Sequence, residues 1–391
     1  MEFANCKMIK AILQLSKNRG LLNGWTYSVI CNRRRSAGMA TIKEIAKACK
    51  VSVATVSNIL NEKPGASEAT RELVLKTAEK MEYMPNYVAK NLKMKNTRSI
   101  GVIVEDMTIF SVPDIVDGIT EYCEEVDYQI LLTNLRLYKK YNDIYYNRDD
   151  YFSIVKREMR KLMAKQVEGI IYVTAHERVL KCISENFSIP SVLAYGYTKS
   201  GKVPSVVVDD EHGGYEAMQY IIENGHRKIG IIMGKSDSIH AQSRLLGCQK
   251  AFRDNGIIYD PELVCVGDWT RESGYKNIDV LLEKGVTAVF CMNDLMAGGV
   301  YDRLDELGMK IPDDLSVSGY DNRELSGYYR PPLTTVNLPL HDIGYRAAEI
   351  MIDMLEKKIL PQEEELVYQI PCQRLIRNSV RNIQNEENAI K

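Results

Sequence analysis

Residues 41–61 read Thr-Ile-Lys-Glu-Ile-Ala-Lys-Ala-Cys-Lys-Val-Ser-Val-Ala-Thr-Val-Ser-Asn-Ile-Leu-Asn, which divides into two short helices around a turn. Thr41 followed three residues later by Glu44 forms a capping box, in which each side chain satisfies a backbone amide of the first turn. Ile42, Ile45 and Ala46 recur at helical spacing and give the first helix one apolar face. Ser52 caps the second helix, with Val56, Ile59 and Leu60 directed inward and Val53, Ala54, Thr55, Ser57 and Asn58 outward. A second helix that opens on small and polar side chains is what a helix-turn-helix offers to the major groove of DNA. An ordinary pair of surface helices shares this pattern, so the flanking sequence must decide.

Residues 67–81 predict a third helix, with Leu73, Val74, Ala78 and Met81 on one side. Glu82-Tyr-Met-Pro-Asn-Tyr-Val-Ala-Lys-Asn-Leu92 then reads as a short proline-started helix before a polar linker over 93–98. The stretches Val51-Ser-Val-Ala-Thr-Val-Ser57, Tyr83-Met-Pro-Asn86 and Gly225-His-Arg-Lys-Ile-Gly230 stand beside Asn293-Asp294, Gly319-Tyr-Asp-Asn322 and Pro331-Pro-Leu-Thr-Thr-Val336. On these six motifs the chain resembles, over residues 40–380, the lactose repressor/galactose repressor (LacI/GalR) family of bacterial transcription regulators. The resemblance implies DNA contacts from Thr41, Ser52, Val53, Ala54, Thr55, Ser57, Asn58, Asn61 and Tyr83. It extends them to Asn86, Ala89, Lys90 and Leu92 of a hinge helix, with Leu92 as an apolar wedge in the minor groove. Asn58 departs from the arginine common at that point, and asparagine pairs best with adenine where arginine favours guanine.

Charge supports this division. Residues 39–98 carry 11 Lys/Arg against 6 Asp/Glu, and residues 1–38 carry 7 against 1, leaving a net −12 on residues 99–391. A basic amino-terminal module on an acidic body suits a nucleic-acid reader joined to a domain of another task. The 9 cysteines include no Cys-x-x-Cys pair, consistent with thiols packed as small hydrophobes in a reducing cytosol. His176, His212, His226, His240 and His341 lack metal-ligand spacing, so no metal is expected. No apolar run reaches membrane-spanning length, and no cofactor is expected. Nucleotide-binding glycine loops, a Gly-x-Ser-x-Gly elbow and a catalytic triad are all missing, which argues against an enzyme.

Residues 1–38 read as an extension from a mis-called start, because family members begin close to Thr41 and Met39 fits that position. Arg34-Arg-Ser36 can be encoded AGA-AGG-AGC, a ribosome-binding sequence a short way upstream of the Met39 codon. The remaining divisions are a helix-turn-helix domain over 39–85, hinge and linker over 86–98, a core over 99–380 and a tail over 381–391.

In the core, strand candidates at 100–104, 129–132, 169–173, 192–194, 206–208, 229–233, 288–291 and 315–319 alternate with helical patterns. The helical patterns fall at 115–125, 159–165, 215–223, 245–255 and 296–307. That alternation builds parallel sheets covered on both faces, an α/β class. The family implies a periplasmic-binding-protein-like core of two such subdomains joined by three crossovers, placed near 200, 322 and 337. One subdomain then comprises about 99–200 and 338–362, the other about 201–337 and 363–380, with the segment 366–370 joining the second.

Ligands bind open α/β sheets at the carboxyl ends of strands. Asp321 and Asn293 follow strands, Arg244 lies at a helix start, and Trp269 and His240 lie in loops. Carboxylate, guanidinium, amide and indole make a set suited to sugars, with planar charged groups binding hydroxyls and an aromatic face packing C–H groups. The matching family positions touch effector, and Ser111 and Tyr195 join the candidate set. Ser111 and Val112 stand where many relatives place aromatics, and Tyr195-Gly196 where sugar binders often carry an acid and a base. The expected function is a homodimeric repressor of carbohydrate-utilisation genes, binding double-stranded operator DNA and a sugar or sugar-phosphate effector. Two alternatives are control by a partner protein and a sugar-binding protein without a DNA role.

Overall fold

The structure is a computed structural model that describes residues 40–61, 63–83, 97–142, 145, 149–183, 188–357 and 366–384. It divides into two compact units between Lys95 and Asn96.

The first unit contains helices α1 (Ile42–Cys49), α2 (Val53–Leu60) and α3 (Glu68–Lys80). The capping box is formed: the Glu44 amide donates to Thr41 Oγ1 at 3.3 Å and the Thr41 amide to Glu44 Oε2 at 2.7 Å. Lys50 turns the chain in the left-handed region at φ 55°, and Ser52 Oγ accepts the Thr55 amide at 3.0 Å. Ile45, Ala46, Cys49, Val56, Ile59, Val74 and Ala78 form the buried core. Leu60 and Met81 pack at its edge. Leu73 was expected on the inner face but is 50% exposed. The stripe that α3 buries runs through Val74 and Ala78, and Leu73 sits a full residue step around the helix from it.

The second unit holds two parallel sheets. The larger has the order β13-β7-β5-β3-β1-β2, from β1 (Ser99–Val104), β2 (Gln129–Asn134), β3 (Gly169–Val173), β5 (Ser191–Ala194), β7 (Ser205–Asp209) and β13 (Val367–Pro371). The smaller has the order β11-β10-β8-β9, from β8 (Ile229–Met233), β9 (Val264–Val266), β10 (Ala288–Cys291) and β11 (Ser316–Ser318). Strand β9 carried too short an apolar run to be expected. β4 (Val179–Leu180) pairs with β6 (Tyr197–Thr198), and β12 (Thr335–Asn337) runs antiparallel to β14 (Gln373–Leu375). Helices α4 (Ser111–Glu125), α5 (Leu137–Tyr141), α6 (Phe152–Ala164) and α11 (Leu340–Leu355) accompany the larger sheet. Helices α7 (Asp210–Glu223), α8 (Ile239–Asp254), α9 (Arg271–Glu283) and α10 (Asp294–Glu306) accompany the smaller.

Two expected boundaries are corrected. The first crossover falls after Asp209 instead of near 200, because Ser205–Asp209 pairs with both β5 and β13 in the larger sheet. The segment expected at 366–370 to join the second sheet is β13, paired in parallel with β7 from Val367↔Ser205 to Pro371↔Asp209. Both sheets ask for the same apolar runs, so hydrophobicity alone cannot assign a strand to one of them.

Helices α7 and α8 approach closely where each has a glycine. A Cβ on Gly214 would lie 2.2 Å from the Arg244 carbonyl oxygen, and one on Gly247 2.0 Å from that of Glu211. Only hydrogen fits there, and the close crossing carries Arg244 to the amino end of α7.

Candidate functional site

On the first unit, Val53 is 43% exposed, and Ala54 and Asn58 are exposed beside partly exposed Thr55 and Ser57. The α2 sequence carries no acidic side chain to repel phosphate. Thr41 and Ser52 are exposed but occupied as caps, and Asn61 donates from Nδ2 to the Ser57 carbonyl at 2.7 Å. Tyr83 packs partly buried against the core beneath. Asn86, Ala89, Lys90 and Leu92 lie outside the described residues, as do residues 1–39.

In the second unit the candidate residues converge around a carboxylate that sequence reading missed. Asp210 opens α7 directly after β7 and is 4% exposed. Its Oδ1 accepts from Arg244 Nε at 2.7 Å and from the Tyr320 hydroxyl at 2.9 Å, and its Oδ2 is 2.5 Å from His240 Nδ1. The Glu177 amide donates to His240 Nε2 at 3.2 Å, so Nδ1 carries the ring proton and donates to Asp210. His240 and Arg244 sit one turn apart on α8, which lets both side chains reach one partner. Tyr320 reaches Asp210 because position 213 lacks a side chain; a Cβ there would lie 2.0 Å from the hydroxyl.

Arg244 is 3% exposed, and its Nη1 donates to the Met292 carbonyl at 2.5 Å. The guanidinium lies 3.7 Å from the centre of the Tyr320 ring and 5.7 Å from that of Trp269. Asp321, at φ 104°, brings Oδ1 to 3.6 Å from Arg244 Nη1. Trp269 is held at φ 75°, and its carbonyl accepts from Asn293 Nδ2 at 3.0 Å. Asn293 Oδ1 meanwhile caps α10 by accepting the Met296 amide at 2.8 Å. Asn293 therefore fixes the Trp269 loop with both ends of its amide. Ser111 is fully buried and donates to the Ala175 carbonyl at 2.9 Å. The buried Tyr195 ring packs 5.3 Å from the His240 ring.

These contacts join elements of both sheets. Tyr195, Ser111 and Glu177 come from the six-stranded half, and His240, Arg244, Asp321 and Trp269 from the four-stranded half. Phe110 and Arg323 meet in the same way, with the guanidinium 4.6 Å from the ring centre. The loop carrying Glu177 is anchored from below by an ion pair between Arg178 and the fully buried Glu105. Glu105 also accepts from the Tyr145 hydroxyl at 2.8 Å, the Tyr172 hydroxyl at 2.9 Å and the Ala175 amide at 3.0 Å.

The carboxyls respond differently to burial. Burial alone would raise Asp210, but Arg244 and His240 outweigh it and hold the group at about 2. Burial pushes Glu177 up to about 7, with His240 and Arg244 only partly opposing it. Burial likewise raises Asp321 well above the carboxylate range, despite Arg244. Asp294 is raised by burial to about 7, though the Thr335 hydroxyl and the Arg323 amide donate to it. Ligand atoms of Glu177, Asp210 and His240 lie within 4.8 Å of one another. Both His240 nitrogens and both Asp210 oxygens are hydrogen-bonded within the protein, so the trio reads as a network first.

Sequence reasoning missed Asp210, Tyr320 and Glu177 as members of the site. Asp210 had a signal, since it follows the apolar Val206–Val208 run where strand ends bind ligands. Glu177 had none.

Comparison with known proteins gives consistent results. Residues 41–86 match "Bacterial regulatory proteins, lacI family", and residues 218–380 match a periplasmic binding protein-like domain. The HTH-type transcriptional repressor PurR of Vibrio parahaemolyticus is 33% identical over 349 residues, covering 88% of this chain and 100% of the relative. PurR of Vibrio atlanticus is 34% identical, covering 84% and 97%. A lac repressor dimer bound to operator and the anti-inducer ONPF has a TM-score of 0.69 at 24% identity, covering 88% of this chain and 100% of that one. A CelR–cellobiose complex has a TM-score of 0.58 at 27% identity, covering 87% and 99%.

Proposed function

The chain belongs to the lacI family of bacterial regulatory proteins, and on that footing we propose that it is a cytoplasmic, homodimeric, effector-controlled repressor whose α1–α3 head reads the two halves of a near-palindromic operator. The observation that carries this reading is the pairing of two features in one chain. A capped helix-turn-helix presents Val53, Ala54 and Asn58 outward, and a separate unit buries Asp210, His240, Arg244 and Asp321 between two parallel sheets. The relatives named repressors, and the CelR structure holding cellobiose, support both halves of the reading. Among the described residues no helix is long and apolar enough to cross a membrane.

Effector control requires that the ligand bind one DNA-linked state better than the other, typically by ~1–3 kcal/mol. The polar cluster suits that role because its members come from both sheets, so any change in how the halves close must rearrange it. Ser111, Tyr195, His240, Arg244, Trp269, Asn293 and Asp321 form the proposed effector site, with Asn293 acting through Trp269. The hinge contacts of Asn86, Ala89, Lys90 and Leu92 belong to the same proposal.

The test selects operator fragments from genomic DNA with the purified protein, then measures binding of Asn58→Ala and Asp321→Asn variants. Asn58→Ala is expected to relax preference at one base of each half-site, by roughly 1–3 kcal/mol per contact. Asp321→Asn is expected to bind operator but respond weakly to effector. Arg244→Ala is a poorer probe, since it strips Asp210 and Asp321 of their shared cation. A parent-like effector response in Asp321→Asn would refute the pocket assignment.

A further inference from the structure

The cluster contains more carboxyl groups than its own cations answer. Asp210 takes Arg244 and His240 for itself at 2.7 and 2.5 Å. That leaves Asp321 and Glu177, like Asp294, without a hydrogen-bonded cation. The Asp321 side chain is 6% exposed, accepts no hydrogen bond among the described residues, and has Arg244 Nη1 only at 3.6 Å. Glu177 Oε2, from the opposite half, is buried with no hydrogen-bond partner. Arg323, the next guanidinium, is turned onto the Phe110 ring. The Tyr195 ring lies beside His240 and the Trp269 ring beside Arg244, and aromatic faces attract cations.

Resting on the effector reading above, the geometry points to a narrower ligand class: a small molecule carrying a positively charged amine or amidine, whose N–H groups donate to Asp321 and Glu177. A protonated amine exchanges its water for charge-assisted hydrogen bonds to carboxylates, stronger than those of a neutral hydroxyl. A phosphate would meet the reverse situation. It would have to displace Asp210 from Arg244 while lying near two further acids. An amino sugar fits this class, and a sugar phosphate does not.

Proton linkage follows. Burial raises both Glu177 and Asp321, so a cation drawing them into the charged form releases protons as it binds. A neutral ligand has no such requirement.

The experiment uses the full-length protein with matched ligands: glucosamine, galactosamine and agmatine against glucose, galactose and glucose 6-phosphate. Calorimetry is run near pH 7 in buffers of different ionisation enthalpy, with thermal melting alongside. At least one amine is expected to bind tenfold or more tightly than its neutral counterpart and to release protons. Glucose 6-phosphate is expected to leave the melting temperature unchanged. Asp321→Asn is expected to reduce the amine preference towards parity. At pH 8 without ligand, Glu177→Gln is expected to melt higher than the parent, a readout that needs no ligand. Tighter binding of the phosphate, amine binding without proton release, or an unchanged or lower Glu177→Gln melt would each overturn the proposal. A neutral sugar that alone alters operator affinity would overturn the charge inference and keep the effector reading. A flat response to every compound, with operator binding intact, would remove both.

Discussion

The head and the cleft treat polar side chains in opposite ways. In the head, Thr41, Ser52 and Asn58 lie at the surface, and the first two bond locally at helix starts, to the amides and side chains of Glu44 and Thr55. Among the described residues, seven small and branched apolar side chains beneath them form the buried core. In the cleft, Asp210, His240 and Arg244 lie inside, each satisfied chiefly by the others. A surface that reads DNA can be built in advance on a minimal scaffold, because water solvates it until phosphate and base edges arrive. A site that senses a ligand needs polar groups whose pairing can change, and burial makes each change energetically visible.

The same contrast explains what the sequence could reveal. The head is local: a capping box, a turn and two apolar stripes within 21 residues announce the motif, and the structure forms them as read. Leu73 failed because three apolar residues in a row, Leu73 to Leu75, leave the inward one ambiguous. The cleft is assembled from distant segments; Asp210 and Tyr320, which share a hydrogen bond, are 110 residues apart. Strand-end logic found Asp321, and family resemblance found Arg244. Neither could show that Asp210 would claim Arg244, or that Glu177 would be pressed against His240 from the other half.

Removing the central carboxylate tests the buried network most severely. Asp210→Ala leaves Arg244 buried without its closest anion and frees the Tyr320 hydroxyl and His240 Nδ1. Breaking one side of a buried pair typically costs ~3–5 kcal/mol. Denaturant melting of the core is expected to show that loss, with the head unaffected. If Asp210→Ala melts within 1 kcal/mol (roughly the worth of an exposed pair) of the parent, the cluster is not the buried network described.

The head should show its dependence on packing instead of charge. Ile45 is 0% exposed at the meeting of α1, α2 and α3. Ile45→Ala is expected to cost ~2–5 kcal/mol by transfer and cavity terms. Such a loss is severe for so small a core. Amide exchange is expected to show residues 41–80 opening while the sheets of the core stay protected.

A third test uses protons. Glu177 and Asp294 are held at about 7 in the folded protein, against ordinary values of 4.5 and 3.8. The folded state therefore binds more protons than the unfolded chain between those limits, and core stability falls as pH rises through that window. Below it both states are protonated and the penalty vanishes. Asp210 works the other way, its contribution lost only as pH falls towards about 2. Glu177→Gln is expected to flatten the slope between about 4.5 and 7, measured by urea melts at several pH values. An unchanged slope would show that Glu177 does not titrate there.

The smallest expected effect separates the two duties of a head residue. Ser52 caps α2 through the Thr55 amide and is also a proposed DNA contact. Ser52→Ala loses the cap and is expected to cost about 1 kcal/mol of head stability. Ser52→Asp restores an equally good cap and places a negative charge at the helix start, where the macrodipole favours it. On stability alone the aspartate variant should match the parent. Against DNA it should fail, because the same carboxylate would face phosphate as α2 approaches the groove. Comparing melting with operator affinity for the two variants therefore distinguishes scaffold from surface at one position. If Ser52→Asp binds operator as well as the parent, the amino end of α2 does not face the nucleic acid, and the orientation assigned to the helix is wrong.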